Sequence, residues 1–250
     1  AVILDSDVQV WDAELAAADN YAGATLSMAR SGGASAQDVF SATGNLSALI
    51  QDGNLTLSGI TIGTVTTNGA GSLQLLFNGN ATQARVNETL QSIAYVNSSD
   101  TPPASAQIDW VFDDGNTGAQ GSGGARAATG STIVGITPVN DAPAAANRSA
   151  PETFIEDTPL NLTDIVVSDV DSANVSVTLT LSNAAAGSLN TATSGAVTSS
   201  FASGVWSASG AVADINTLLA ALTFTPAPDF NGSFAIDIMI SDGAAAITGI

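Results

Sequence analysis

The sequence predicts an all-β protein built as two tandem antiparallel Greek-key β-sandwiches, each with one short helix-like segment. Three observations carry this. Val175–Leu181 and Phe234–Ile240 alternate apolar and polar side chains, the pattern of strands with one face in a core. Turn clusters such as Asp52-Gly53-Asn54 and Asn78-Gly79-Asn80 punctuate the chain at short intervals, as in sandwiches. The chain also aligns with itself, so that one architecture occurs twice.

In the self-alignment Leu90 meets Leu219, Ile93 meets Leu222, Tyr95 meets Phe224 and Asp100 meets Asp229. Ile108-Asp-Trp-Val-Phe-Asp-Asp-Gly115 then lies over Ile236-Asp-Ile-Met-Ile-Ser-Asp-Gly243. Near the start of each half, Asp7, Asp12 and Glu14 recur as Asp164, Asp169 and Asp171 with the same spacing. The predicted domains are 1–138 and 144–250, joined by a linker at 139–143 whose flanking prolines favour extended backbone. Each domain has one helix-like stretch, Ala81–Ile93 in the first and Val212–Leu222 in the second. The first domain has little chain ahead of its opening strand, and the second has little after its Asp-Gly pair. The frame therefore predicts an incomplete N-terminal strand in domain one and an incomplete C-terminal strand in domain two. Two readings of this stay open: a trimmed piece, or strands donated between subunits.

Composition narrows the chemistry. The 250 residues include 23 acids, four arginines and no His, for a net charge of −19, and Lys and Cys are also absent. Scattered Arg30, Arg85, Arg126 and Arg148 do not make a phosphate-binding surface, so a nucleic-acid partner is not expected. Imidazole catalysis, thiol nucleophiles, ordinary zinc sites and P-loops are excluded for want of their residues. No apolar run is long enough to span a bilayer, and no signal-peptide pattern or initiator Met is present, as expected of a mature segment or excised piece. What remains is oxygen chemistry, which suits Ca²⁺.

The acids cluster in turns. In a Greek key, Ser168-Asp-Val-Asp-Ser-Ala-Asn174 and Ser241-Asp242-Gly243 are expected at the end where the linker enters. The linker brings Asn140 and Asp141, and the start of the first strand is expected to bring Glu156 and Asp157. Asn140, Asp141, Glu156, Asp157, Asp169, Asp171 and Asp242 are thus candidate metal ligands, whose mutual repulsion a bound Ca²⁺ would convert into coordination. The counterpart set in domain one is Asp12 and Glu14 with Asp113 and Asp114. The competing reading is solvated turn residues, since Asp and Asn favour turns. Asp100 and Asp229 are expected at the opposite end as turn residues.

Val139-Asn-Asp-Ala-Pro143, Glu156-Asp-Thr-Pro159, Ser168-Asp-Val-Asp171, Phe224-Thr-Pro-Ala-Pro-Asp-Phe-Asn-Gly232 and Ile240-Ser-Asp-Gly243 resemble the cadherin-like tandem repeats of large bacterial (RTX-type) surface adhesins. Ile93-Ala-Tyr-Val-Asn-Ser-Ser-Asp100 resembles a longer variant of the same repeat. The resemblance implies cadherin/Ig-like sandwiches serving as secreted or cell-surface extender modules, rigidified by interdomain calcium and partnered by neighbouring repeats of the same protein. By that resemblance Asn140, Asp141, Glu156, Asp169, Asp171 and Asp242 are the implied Ca²⁺ ligands.

Three other functions are weighed. Glycoside hydrolysis would rest on Asp109 or Asp237, but both alternate with core residues and are expected to face solvent, so no enzyme is expected. A carbohydrate-binding module with a glycan partner would stack sugars on Trp11, Trp110 or Trp206; Trp110, in phase with Ile108 and Phe112, is expected in the core, and Trp206 is the best placed for exposure although core packing is the favoured reading for it too. A self-assembling filament or surface-layer subunit would explain the unfinished frame. Asn-x-Ser/Thr triplets, among them Asn45, Asn87 and Asn231, are compositional unless the source glycosylates.

Overall fold

The computed structural model describes residues 1–116 and 124–249. The chain divides into two compact units, Ala1–Pro138 and Val139–Ile250. Unit 1 contains β1 (Val2–Ile3), α1 (Ala13–Ala18), β2 (Thr25–Arg30), β3 (Asp38–Ala42), β4 (Asn54–Leu57), β5 (Ile60–Gly69), β6 (Ser72–Phe77), α2 (Gln83–Gln91), β7 (Ile93–Asn97), β8 (Ser105–Asp113) and β9 (Ala127–Gly135). Unit 2 contains β10 (Ala144–Ala146), β11 (Leu160–Asn161), β12 (Val166–Ser168), β13 (Asn174–Leu181), β14 (Gly187–Leu189), β15 (Thr193–Ser194), β16 (Val197–Thr198), β17 (Ser200–Ala202), β18 (Val205–Ala211), α3 (Val212–Ala220), β19 (Thr223–Pro226), β20 (Ile236–Ser241) and β21 (Ala246–Gly249).

Each unit is an antiparallel sandwich of a large and a small sheet. In unit 1 the large sheet has the order β4-β5-β6-β2-β8-β9 and the small one β1-β7-β3; in unit 2 the orders are β17-β18-β13-β20-β21 and β11-β19-β14. Strand for strand these coincide, with β4 as the addition in unit 1 and the small pairs β10-β12 and β15-β16 as additions in unit 2. α2 and α3 lie within the expected helical stretches. Each buries one stripe, Val86 and Leu90 in α2 and Ile215, Leu218 and Leu219 in α3, before running into a strand of the small sheet. Unit 1 holds a second helix that the repeat pattern did not predict. α1 begins where the Asp12 carboxylate caps its first turn, accepting from the Glu14 and Leu15 amides at 3.0 and 2.8 Å, and it ends at Asp19 in the left-handed region.

The self-alignment extends to a pair of amides. On α2, Asn87 Oδ1 accepts the Val10 N–H at 3.0 Å. On α3, the matching Asn216 accepts the Val167 N–H at 2.8 Å and donates back to the Val167 carbonyl at 2.9 Å. Val10 and Val167 each precede an acidic turn by two residues, so a helix-borne amide holds that turn's entry in both units. The Asn87 amide oxygen is therefore engaged within the fold.

Alternation sets the core. Trp206 and Ala208 point inward from β18, and Trp206 is 1% exposed, with its indole N–H on the Asn190 carbonyl at 3.1 Å. Core packing, the favoured expectation for Trp206, is what the structure has: its phase on β18, not the flanking glycines, decides where the ring goes. Trp110 is half-buried against the unit 1 core and lies over Gly130 of β9, where an added Cβ would come within 2.3 Å of the indole. The exposed indole is Trp11, at 75%.

A buried ion pair ties the two sheets of unit 1 together. Asp38 opens β3 in the small sheet and is 3% exposed; Arg30 ends β2 in the large sheet. Arg30 grips the carboxylate with two donors, Nε at 2.8 Å and Nη2 at 2.6 Å, while Tyr95 OH and Asn97 Nδ2 donate to it at 2.6 and 2.9 Å. Burial pushes the Asp38 pKa up, but the bonds from Arg30, Tyr95 and Asn97 outweigh it and hold the group below its usual value.

Two outcomes follow. Asp38→Ala leaves Arg30 uncompensated between the sheets and should cost about 3 kcal/mol of unit 1 stability by chemical denaturation. Because the folded carboxyl titrates lower than the unfolded one, its contribution is complete above about pH 4 and lost as pH falls through the folded value, a slope that Asp38→Ala should abolish. In unit 2, Asn216→Ala removes two hydrogen bonds from Val167 and should cost about 2 kcal/mol, read as a lower melting temperature.

Candidate functional site

The acidic turns of unit 2 are built on one local device. A short acid beside a turn can turn its carboxylate back onto the amides two and three residues ahead. Asp169 Oδ1 accepts from Asp171 N at 3.1 Å and Ser172 N at 2.7 Å; Asp242 Oδ1 accepts from Ala244 N at 2.7 Å and Ala245 N at 2.6 Å. Asp12 uses the same spacing to cap α1, so the predicted match of Asp12 with Asp169 is real at the level of the turn. In each case one oxygen is committed to the amides of its own turn.

Strand register brings these turns together. Ser176 of β13 pairs with Ser241 of β20, so the Asp169 turn ahead of β13 adjoins Asp242 just past β20. Ala144 of β10 pairs with Ser168 of β12, which delivers Asn140 and Asp141 to the same end. There Asn140 Nδ2 donates to Asp242 Oδ2 at 2.8 Å and the Asp141 N–H donates to Asp171 Oδ2 at 2.9 Å. The Ala245 amide, followed by the Asn140 amide, holds the Asp242 pKa below the usual carboxylate range. Asp169 Oδ2 is buried without a hydrogen-bond partner among the described residues. A buried carboxylate oxygen with nothing to accept from is costly, and a hard cation is one partner that would satisfy it.

Glu156 and Asp157 do not join this end, which corrects their expected placement. The first strand of unit 2 is β10, not a strand starting near Leu160. Ala144–Ala146 carries no β-branched or aromatic residue to announce it. From there the chain runs the length of the sandwich before β11 pairs Leu160 with Phe224. Asp157 therefore meets the far turn, accepting the Asp229 N–H at 3.1 Å, and both residues have left-handed backbone. Glu156 is exposed at the rim of a cavity of about 840 Å³ lined by Phe154, Phe224, Phe234 and Ile238.

In unit 1 the counterpart residues have local duties. Asp12 caps α1, and Glu14 is exposed in the first turn of that helix, where a negative charge is favoured. Asp113 accepts the Gly115 N–H at 2.8 Å. Asp114 is 5% exposed and latches the β8–β9 connection, accepting from Asn116 N at 2.9 Å and Arg126 N at 3.0 Å. Among the described residues no three acidic side chains converge closely enough to hold a metal ion. At the Asn140 end, amide donors stand between the carboxylates. The donor type fits a hard cation, and the free oxygen of Asp169 fits it best; Asn140 would have to turn its amide oxygen inward.

The turn-holding role of Asn216 and Asn87 has no signal in the sequence beyond their alignment under the same offset as Leu219 and Leu90. The role of Asp38 could have been found by its phase with the core residue Phe40.

The family model described as bacterial Ig domain matches residues 140–249. A search of the curated proteins finds no match. Among solved structures, the collagen binding domain of Erysipelothrix rhusiopathiae surface protein RspB is 11% identical, covering 85% of this chain and 76% of that one. Its TM-score of 0.20 is too low to carry a comparison of fold or site. Among the described residues, no helix is long and apolar enough to cross a membrane. The chain is an all-β protein of antiparallel sandwiches whose second unit is similar to bacterial Ig domains.

Proposed function

We propose that the chain is a structural extender module of a secreted or cell-surface bacterial adhesin, and that calcium held at the Asn140 end of unit 2 stiffens the 139–143 segment leading into it. The observation that carries this reading is the buried, partnerless Asp169 Oδ2 at the end of unit 2 that also bears Asp171, Asp242, Asn140 and Asp141, in a chain with few cations to neutralise them. The match of unit 2 to bacterial Ig domains supports the surface-module part of the reading. Asp169, Asp171 and Asp242 would have to draw closer together to hold the ion through the oxygens not committed to backbone, and Asn140 would contribute its amide oxygen. A divalent ion supplies charge neutralisation and cross-linking there. The work of the site is mechanical: it fixes a turn, a strand end and an entering segment to one another.

Calcium at about a hundred times its dissociation constant should stabilise unit 2 by about 2.7 kcal/mol, raising its melting temperature by on the order of 10 °C. Calorimetry and small-angle scattering with Ca²⁺ and with chelator measure this; equal melting and equal maximum dimension in the two conditions would sink the proposal. Substitution separates the residues. Asp169→Asn should abolish the calcium-dependent shift, whereas Asp157→Asn, at the far end, and Asp12→Asn, in unit 1, should leave it intact. A shift that survives Asp169→Asn would place the ion elsewhere.

A further inference from the structure

We propose that the outer edge of β9 is a pairing surface for β9 of a second copy of this chain, joined antiparallel about Ser131. An open sheet edge presents unpaired N–H and C=O groups, and proteins normally blunt it by shortness, charge, proline or a bulge. The other edges here are short: β4 has 4 residues, β17 has 3, β21 has 4, β1 has 2 and β3 has 5. β9 has 9 residues, carries no charge and no proline, and pairs rung for rung with β8 without a register shift. By contrast, β4–β5 and β5–β6 are both bulged. Among the described residues no strand covers the outer side of β9. Its Ile133 is 70% exposed, a large β-branched side chain left standing on a sheet edge.

The second copy is the occupant that β9 fits. With a net charge of −19, two chains repel wherever their acids approach, so contact is cheapest along an uncharged strip. Centring on Ser131 is the register that pairs all nine residues. It sets Ile133 opposite Thr129 and Thr132 opposite Gly130, pairs suited to cross-strand packing. The acid nearest the axis is Asp109, which sits opposite Ser131 on β8. The two copies of Asp109 would then be three strand spacings apart, about 14 Å. That exceeds the screening length of about 8 Å at physiological salt. The contact lies wholly in unit 1 and is independent of the calcium reading, so either can fail alone.

Sedimentation equilibrium of the full chain in chelator, over rising concentration, should show a reversible monomer–dimer equilibrium. Ile133→Lys, at a position exposed enough to leave the fold unchanged by circular dichroism, should weaken it at least tenfold; Thr129→Lys gives the same reading independently. Since the chain has no Cys, Ser131→Cys should form a disulfide-linked dimer under mild oxidation far faster than Ser200→Cys on the short β17 edge. A chain that stays monomeric to about 1 mM, the scale of a weak complex, overturns the proposal. So does a dimer indifferent to both lysine variants, or equal cross-linking at the two cysteine positions.

Discussion

The structure is governed by how so many carboxylates are satisfied when cations are so few. With 23 acids and four arginines, ion pairing is available to almost none of them. Backbone amides take its place. Asp12, Asp169 and Asp242 each fold one oxygen back onto two N–H groups, and Asp113 and Asp114 bind amides of the β8–β9 connection. Such bonds demand a specific local backbone, so the acids determine where strands stop and turns begin. They also consume one oxygen of each carboxylate; the second takes the Asn140 amide at Asp242 and is buried with no partner among the described residues at Asp169.

Asp38 obeys the opposite rule. It is buried between sheets, where no turn amide is available, and it takes the guanidinium of Arg30 with a hydroxyl and an amide besides. A buried carboxylate needs that full complement, because desolvation otherwise outweighs what it gains. Among the described residues unit 2 repeats no such ion pair; its Arg148 donates instead to the Thr248 carbonyl. There an aromatic group in which Phe154, Phe224, Phe230 and Phe234 pack with centroids 4.6 to 6.2 Å apart occupies the small-sheet side of the core. The same strand order is thus held by a polar clamp in one unit and by ring packing in the other.

Position along the sandwich separates the two groups of acids in unit 2. β10 takes the entering chain at one end, and the segment from 147 to 159 carries it to the other before β11 begins. Asn140, Asp141, Asp169, Asp171 and Asp242 share the first end and Asp157 meets Asp229 at the second. The helix-borne Asn216 pins Val167 and so locks the approach to Asp169, a role that Asn87 repeats toward Asp12 in unit 1. The candidate site is therefore a property of strand register and helix placement as much as of its acids.

Much of this was legible in the linear chain. Alternation in Val175–Leu181 and Phe234–Ile240 marked β13 and β20, and the offset relating Leu90 to Leu219 revealed the repeated helix-to-strand unit, because buried positions recur with the periodicity of the element that carries them. Local turn chemistry marked Asp169 and Asp242 for the same reason: an Asx turn is made within four residues. Tertiary structure alone decided the rest. Whether Trp206 faced in or out depended on which phase of β18 met the core. Whether Glu156 and Asp157 joined Asn140 depended on an Ala-Ala-Ala strand with no propensity signal, held in place by its partner β12. That Arg30 reaches Asp38, and that β9 ends its sheet with no described strand beyond it, follow from the order of strands across the sheets, which short-range sequence does not encode.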